Sequence, residues 1–252
     1  MDMTRTQPQT ITLFGIAISR MTMRETVAYL TSAIQARRTT QVVTANPIMM
    51  MTAFQDPAYY AMLQGADVVV PDGAGLVWAA GRLHKPVQER VAGYDLVQQL
   101  FQVGAEQAWT FYFLGASQDV VEAAKARAIE AHPGLRVVGC RDGYFTPQQD
   151  GDVIEDIVAA APDVLLVGRS VYTQDPWIAQ YRERLGIPVM IGVGGSFDVM
   201  SGKLRRAPRW MQRLRLEWLF RLLQQPSRLP RMLSLPKFVI RVLLYGEKLQ
   251  KR

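Results

Sequence analysis

TFYFLGASQDVVEAAKARAIEA, residues 110–131, reads in three parts. Residues 110–114 form an apolar run without polar alternation, which is what a strand buried on both faces needs. Gly115-Ala116-Ser117 turns the chain, with Ser117 placed as an N-cap, and residues 118–131 carry apolar groups at helical spacing. The same alternation runs through much of the chain. Strands are expected at 11–18, 41–44, 67–70, 110–114, 135–138, 164–167 and 188–191, and helices at 23–36, 94–103, 118–131, 149–160 and 176–185. Strands alternating with helices of this length predict an α/β fold, a Rossmann-like and mainly parallel sheet with helices on both faces. In such a sheet ligands collect outside the carboxyl ends of the strands.

At 252 residues, 49% hydrophobic and 20% charged, the chain is long enough for a full core and ordinary in composition. Charge is unevenly placed. Residues 203–252 hold fourteen Lys and Arg against Glu217 and Glu247, a balance of +12, while residues 1–202 hold fifteen basic and twenty acidic residues, a balance of −5. We therefore expect an α/β body over 1–202 and an arginine-rich helical appendage over 203–252. The single Cys140 permits no intrachain disulfide, and MDMTRTQPQT at the start lacks the apolar segment of a signal peptide. Apolar runs such as IPVMIGVGG stop well short of the roughly 18 residues that span a bilayer. These features predict a cytoplasmic protein with peripheral membrane contact at most.

Polar residues cluster at several expected strand ends. Asp72, in Pro71-Asp72-Gly73, stands where a carboxylate can project into a cleft and serve as general base; as a bare tripeptide it reads more readily as a turn. Thr44 and Asn46 end the preceding strand and could bind a sugar or phosphate, or form a turn capped by Pro47. Gly192-Val193-Gly194-Gly195-Ser196 would let backbone N–H groups approach a diphosphate, with Gly194 and Gly195 as binding residues. Gly115-Ala116-Ser117 serves either as an anion site or as a tight turn. His84, His132 and Cys140 match no metal-ligand spacing, so no metal is expected.

In the appendage, Trp210, Leu214, Trp218, Leu219, Leu222 and Leu223 fall on one helical stripe, with Arg209, Arg213, Arg221 and Arg228 largely elsewhere. Pro226, Pro230 and Pro236 break it into short amphipathic pieces, which suit an interface better than a nucleic-acid groove. Leu229, Leu233, Leu235, Phe238 and Val239 are expected to insert into an anionic bilayer while Lys237 and Arg241 meet phosphates. The same apolar stripe would equally serve a homo-oligomer.

Taken together, T-x-N-P (44–47), PDG (71–73), ERVAGYDL (89–96), FLG (113–115), DGYF (142–145), Q-D-x-W (174–177), GVGGSFD (192–198) and GKLRRAPRWMQRLRLEWLFRLLQQPSR (202–228) resemble the WecG/TagA/CpsF glycosyltransferases from about residue 11 onward. The resemblance implies inverting transfer of a sugar, without metal or other cofactor, from a UDP donor to a sugar on a polyprenyl diphosphate at the inner membrane face. N-acetylmannosamine transfer to GlcNAc-diphospho-undecaprenol, as in teichoic acid synthesis, is the usual activity. UDP-glucose transfer in exopolysaccharide assembly is the alternative. By motif position the resemblance assigns Asp72 as base and Thr44 and Gln174 as polar partners near the reacting sugar. It adds Asn46 and Arg90 to the cleft and places Arg221, Arg228 and Arg231 over the diphosphate. One loop departs: Ser170, Tyr172 and Thr173 replace the glycine, proline and lysine of the family's G-x-G-x-P-K-Q-E, which bears on sugar identity. Two other classes fit less. A nicotinamide oxidoreductase would need a G-x-G-x-x-G turn near the first strand, and a nucleic-acid-binding module would leave the polar strand ends without a purpose.

Overall fold

The computed structural model describes residues 8–246. Residues 1–7 of the stretch read for a leader, and Glu247, Lys248, Lys251 and Arg252 of the charge count, lie outside them.

Six parallel strands form the central sheet: β3 (Thr40–Ala45), β4 (Val68–Pro71), β5 (Thr110–Gly115), β6 (Arg136–Arg141), β7 (Val164–Gly168) and β8 (Val189–Gly192), in the order β4-β3-β8-β7-β5-β6. Strand alternation gives the sheet two buried faces. On one, Val42, Val70, Phe111, Phe113, Leu166 and Ile191 pack against helices α1 (Met23–Gln35), α5 (Gly93–Glu106) and α6 (Gln118–Ala131). On the other, Tyr112, Leu165 and Met190 meet α7 (Asp150–Ala160) and α8 (Gln174–Leu185), and Val43 and Val69 meet α2 (Pro47–Ala53), α3 (Pro57–Gly65) and α4 (Ala74–Arg82). The expected Rossmann-like α/β arrangement is what the chain forms. The connections that leave β5 and β7 run to opposite sides of that neighbouring pair, to β6 and to β8, which opens a crevice at their carboxyl ends.

Several elements differ from the sequence expectation. Residues 11–18 are not one strand but a hairpin, β1 (Thr10–Leu13) and β2 (Ile16–Ser19), paired antiparallel as a separate two-stranded sheet. Its turn places Phe14 at φ 54° and Gly15 at φ 76°, the paired positive values a tight hairpin turn demands. Helices α2, α3 and α4 were not expected. The first two start on Asn46-Pro47 and Asp56-Pro57, where the Asn or Asp side chain accepts two backbone N–H groups and proline fills the first turn. Ser117 does sit at the N-cap of α6, yet its side chain makes no capping bond.

Beyond α9 (Ser196–Met200) the chain forms short helices, α10 (Arg209–Arg213), α11 (Glu217–Gln224), a single 3₁₀ turn over Pro226–Arg228 and α12 (Leu229–Met232), and then the longer α13 (Ser234–Tyr245). The expected continuous stripe from Trp210 to Leu223 is interrupted, because Arg215 takes φ 61° between α10 and α11. Phe238 is not a membrane-inserting residue. It is wholly buried with Val242 in the cluster formed by the hairpin and α2 to α4, and its ring meets Phe14 edge to face at 5.9 Å. Arg241 is half-buried, its guanidinium over the Phe54 ring at 5.0 Å. The tail helix therefore docks on its own body, while Ile240, Leu243 and Leu244 remain outward.

Candidate active site

A cleft of about 1110 Å³ lies at the carboxyl ends of the strands, roofed by the tail. It brings together every site residue singled out in the sequence: Thr44, Asn46, Asp72, Arg90, Gln174, Gly194, Gly195, Arg221, Arg228 and Arg231 all line it.

Its floor is set by two strand ends in direct contact. The Asp72 and Gly73 backbone N–H groups donate to Ala45 O at 2.9 and 3.1 Å, which locks the turn after β4 against the end of β3. A Cβ on Gly73 would stand 2.5 Å from Pro47 Cδ, so only glycine permits this approach. Thr44 Oγ1 donates to Gly192 O at 3.3 Å, tying β3 to β8. Asn46 Oδ1 accepts from Ile48 and Met49 N, so it caps α2 while also facing the cleft.

Asp72 keeps 30% of its side chain exposed at the cleft wall. Burial raises its carboxyl to about 6 and Glu217 adds to the rise; Arg90, the Gly93 backbone hydrogen bond and Arg221 oppose it. A carboxylate poised there accepts a proton at neutral pH far better than an ordinary aspartate would. Arg90 stands beside it, Nε to Oδ1 3.8 Å, and pairs at 2.5 Å with Glu217 from the tail.

Across the cleft, the side-chain amide of Gln174 is held at both ends. Its Oε1 accepts from Gly194 N at 2.8 Å, and its Nε2 donates to Asp175 Oδ2 at 3.1 Å. Asp175 is fully buried, its Oδ1 has no hydrogen-bond partner, and burial pushes its carboxyl up to about 7. The glycines from 192 to 195 work differently from the expected phosphate cradle. Val193 N donates to Val167 O, Gly194 N to Gln174 and Ser196 N to Val193 O, so three of the amides are engaged internally. What the missing side chains permit is approach: a Cβ on Gly192 would lie 2.3 Å from Asp175 Oδ1, and one on Gly195 would lie 3.2 Å from the Arg228 guanidinium. At Gly115-Ala116-Ser117 the tight-turn reading fits the bonding, since Ala116 N donates to Gly168 O and a Cβ on Gly115 would collide with that oxygen at 2.3 Å.

The roof is cationic. Burial and then the neighbouring charge of Arg221 hold the Arg228 guanidinium below its ordinary value, Arg231 acts in the same direction, and Asp198 alone counters them. Arg231 also lies over the Tyr172 ring at 5.8 Å, which joins the tail to the divergent loop. Crowded arginines with so little counter-charge have the electrostatics to attract an anion. Lys203, Arg205, Arg206 and Arg215 extend the group along the cleft, with Arg206 fixed to Asp95 at 2.6 Å and over the Tyr94 ring.

Among these, Glu217, Asp175, Asp198 and Arg206 were not singled out from the sequence. Glu217 carried a local signal as one of two acids in a strongly basic segment, while Asp175, Asp198 and Arg206 lay inside quoted motifs without being given a role. The triplet Asp150-Gly151-Asp152 has the D-x-D form, but Asp150 accepts from Trp177 Nε1 and the Tyr181 hydroxyl, and neither aspartate lines the cleft. His84, His132 and Cys140 are likewise absent from its walls.

Known proteins are similar to this chain over most of its length. A protein of Bacillus spizizenii is 40% identical over 202 residues, covering 80% of this chain and 78% of its own. Another, of Bacillus subtilis strain 168, is 34% identical over 236 residues, with 93% and 91% covered, and one of Staphylococcus aureus strain MW2 is 29% identical over 249 residues, with 98% and 97% covered. All three are named N-acetylglucosaminyldiphosphoundecaprenol N-acetyl-β-D-mannosaminyltransferase. The family model for glycosyl transferases of the WecG/TagA/CpsF type matches residues 11–252, and this chain is a member of that family.

Proposed function

We propose that the protein transfers N-acetylmannosamine from a UDP donor to GlcNAc-diphospho-undecaprenol, with inversion and without a metal ion, in the synthesis of teichoic acid or another cell-surface polysaccharide. The observation that carries this reading is one cleft lined by both a carboxylate suited to accept a proton, Asp72, and a group of arginines short of counter-charge. The relatives' shared name supports the substrates.

Asp72 takes the proton from the acceptor hydroxyl, and that oxygen forms a bond to the anomeric carbon on the face opposite the diphosphate. The bond from that carbon to the phosphate oxygen breaks, and its electron pair leaves with UDP. Arg221, Arg228 and Arg231 neutralise the departing charge, the task a metal performs in other transferases. Thr44, Asn46 and Gln174 hold sugar hydroxyls, and Gly195 lets Arg228 come close to the diphosphate. Arg90 orients beside the base. Residues 1–202 act as the catalytic body and 203–252 as the appendage that closes over it.

Among the described residues no helix is long and apolar enough to cross a membrane. Ile240, Leu243, Leu244 and Tyr245 on the outward side of α13, with Leu229, Leu233 and Val239 nearby, form the surface we assign to the lipid headgroup boundary at the inner face of the cell membrane. This replaces Phe238 as the anchor and leaves self-association as a competing use of that surface.

The test is incubation of the purified protein with GlcNAc-diphospho-lipid and either UDP-N-acetylmannosamine or UDP-glucose, followed by mass analysis of the lipid. One added N-acetylhexosamine, seen only with the first donor, is the expected result. One added hexose with the second would assign the protein to exopolysaccharide assembly, through the Ser170, Tyr172 and Thr173 loop that lines or adjoins the cleft. No product with either, on a protein that also fails to bind UDP, would sink the proposal.

A further inference from the structure

Arg90 stands between two carboxylates from different parts of the chain. One terminal nitrogen lies 2.5 Å from Glu217 Oε2 at the start of α11, and Nε lies 3.8 Å from Asp72 Oδ1 at the end of β4. The Arg90 Nε is buried and makes no hydrogen bond among the described residues. A buried donor left unpaired is costly, and a small rotation of the guanidinium toward Asp72 would satisfy it. The shorter ion pair to Glu217 opposes that rotation. Both of its partners keep only 26% of their side-chain surface exposed, so water screens the pair less than it would on an open surface.

The surrounding charges do not substitute for Glu217. Arg221, on the same helix, adds attraction for the Asp72 charge. Asp95 of α5 acts on Arg90 but is itself bonded to Arg206, and Arg213 and Arg215, which line a recess next to Arg90, are cations. Glu217 is the one carboxylate that the tail contributes among the described residues.

We propose that Glu217 is a positioning residue: by holding Arg90 off Asp72 it keeps that carboxylate free to take a proton, and through the same ion pair it makes the base depend on the docked tail. The inference rests on the reading of Asp72 as base. It gives α11 a role distinct from charge neutralisation, because tail closure and proton acceptance pass through one guanidinium.

The experiment is the pH dependence of kcat/KM for the wild type, Glu217→Gln, Glu217→Asp and Asp72→Asn on GlcNAc-diphospho-lipid, with whichever of the two UDP-sugars the wild type turns over. In parallel, carbon NMR of aspartate-labelled protein follows the Asp72 carboxyl without substrate. Glu217→Gln is expected to move the acidic limb and the Asp72 titration about one unit lower, since an arginine closing on a carboxylate favours its charged form. The plateau rate should fall roughly threefold to tenfold as the base weakens. Glu217→Asp, which keeps the charge, should hold the limb near its wild-type position. A limb and titration that stay in place in Glu217→Gln, or that move equally in both Glu217 variants, would overturn the inference. Full activity in Asp72→Asn would instead remove the base reading itself, and with it this one.

Discussion

Val42, Phe111, Leu165 and Ile191 in the sheet have no exposed surface, whereas in residues 209–246 only Met211, Phe238 and Val242 are buried. The body is held by apolar burial on two faces of a sheet, whose close packing fixes backbone positions. The tail rests on one buried aromatic, a few ion pairs to the body such as Arg90 to Glu217 and Arg206 to Asp95, and stacking of Arg206 on Tyr94. Site residues drawn from the body are therefore rigidly placed, and those drawn from the tail are placed conditionally. A base needs the first kind of support; a lid that admits a lipid-linked substrate needs the second.

Breaking the rigid half should give the largest effect. Asp72→Asn is expected to lower turnover by about a hundredfold to ten-thousandfold with little change in UDP affinity, measured by steady-state kinetics and calorimetry. It should also change stability in a defined direction. The folded protein holds the Asp72 proton up to about pH 6, above the ordinary aspartate value of 3.8, so the wild type loses stability as pH rises through that window. The Asn variant should lack that loss, so its urea midpoint relative to wild type should be higher at pH 7.5 than at pH 4.5. Arg228→Ala strikes the conditional half: turnover should drop by about a hundredfold to a thousandfold while the melting temperature holds or rises, because desolvation and Arg221 already disfavour that charge.

Much of this division was legible in the sequence. Helix 118–131 falls where its spacing put it, and the polar strand ends at Thr44, Asp72, Gln174 and Gly194 do converge. The hairpin was read as one strand because its left-handed turn is carried by Phe14 instead of the asparagine or aspartate that usually marks one. Asn46-Pro47 was read as a turn, when proline at a first helical turn is a start, and Asp56-Pro57, which repeats the pattern, drew no reading at all. Pairings such as Arg90 with Glu217, 127 residues apart, leave no local trace, and neither does the burial of Phe238 in a segment rich in arginine.

Two smaller effects sharpen the comparison. Phe238→Ala should cost the tail about 3 kcal/mol of docking, enough to expose α12 and α13 to limited proteolysis, while the main unfolding transition of the body stays cooperative. Asp175→Asn should leave turnover within about tenfold of the wild type if Gln174 keeps its place. It should also flatten the fall in stability between about pH 4 and pH 7 that a buried carboxyl raised to about 7 imposes. A steeper fall in the variant would mean that the folded protein stabilises the Asp175 charge, against the burial that raises its carboxyl.

Phe14 meets Phe54 edge to face on one side and Phe238 on the other, so the first hairpin and the last long helix complete one another. On the ribosome these partners appear in sequence. At roughly 5–20 residues per second, Phe238 follows Phe14 by about ten to forty-five seconds, and through that interval the nascent chain carries an aromatic patch with no cover. Chaperones that hold apolar surface have their opening there, and a message cut short before the final helix would release a protein whose sheet is whole but whose patch stays bare.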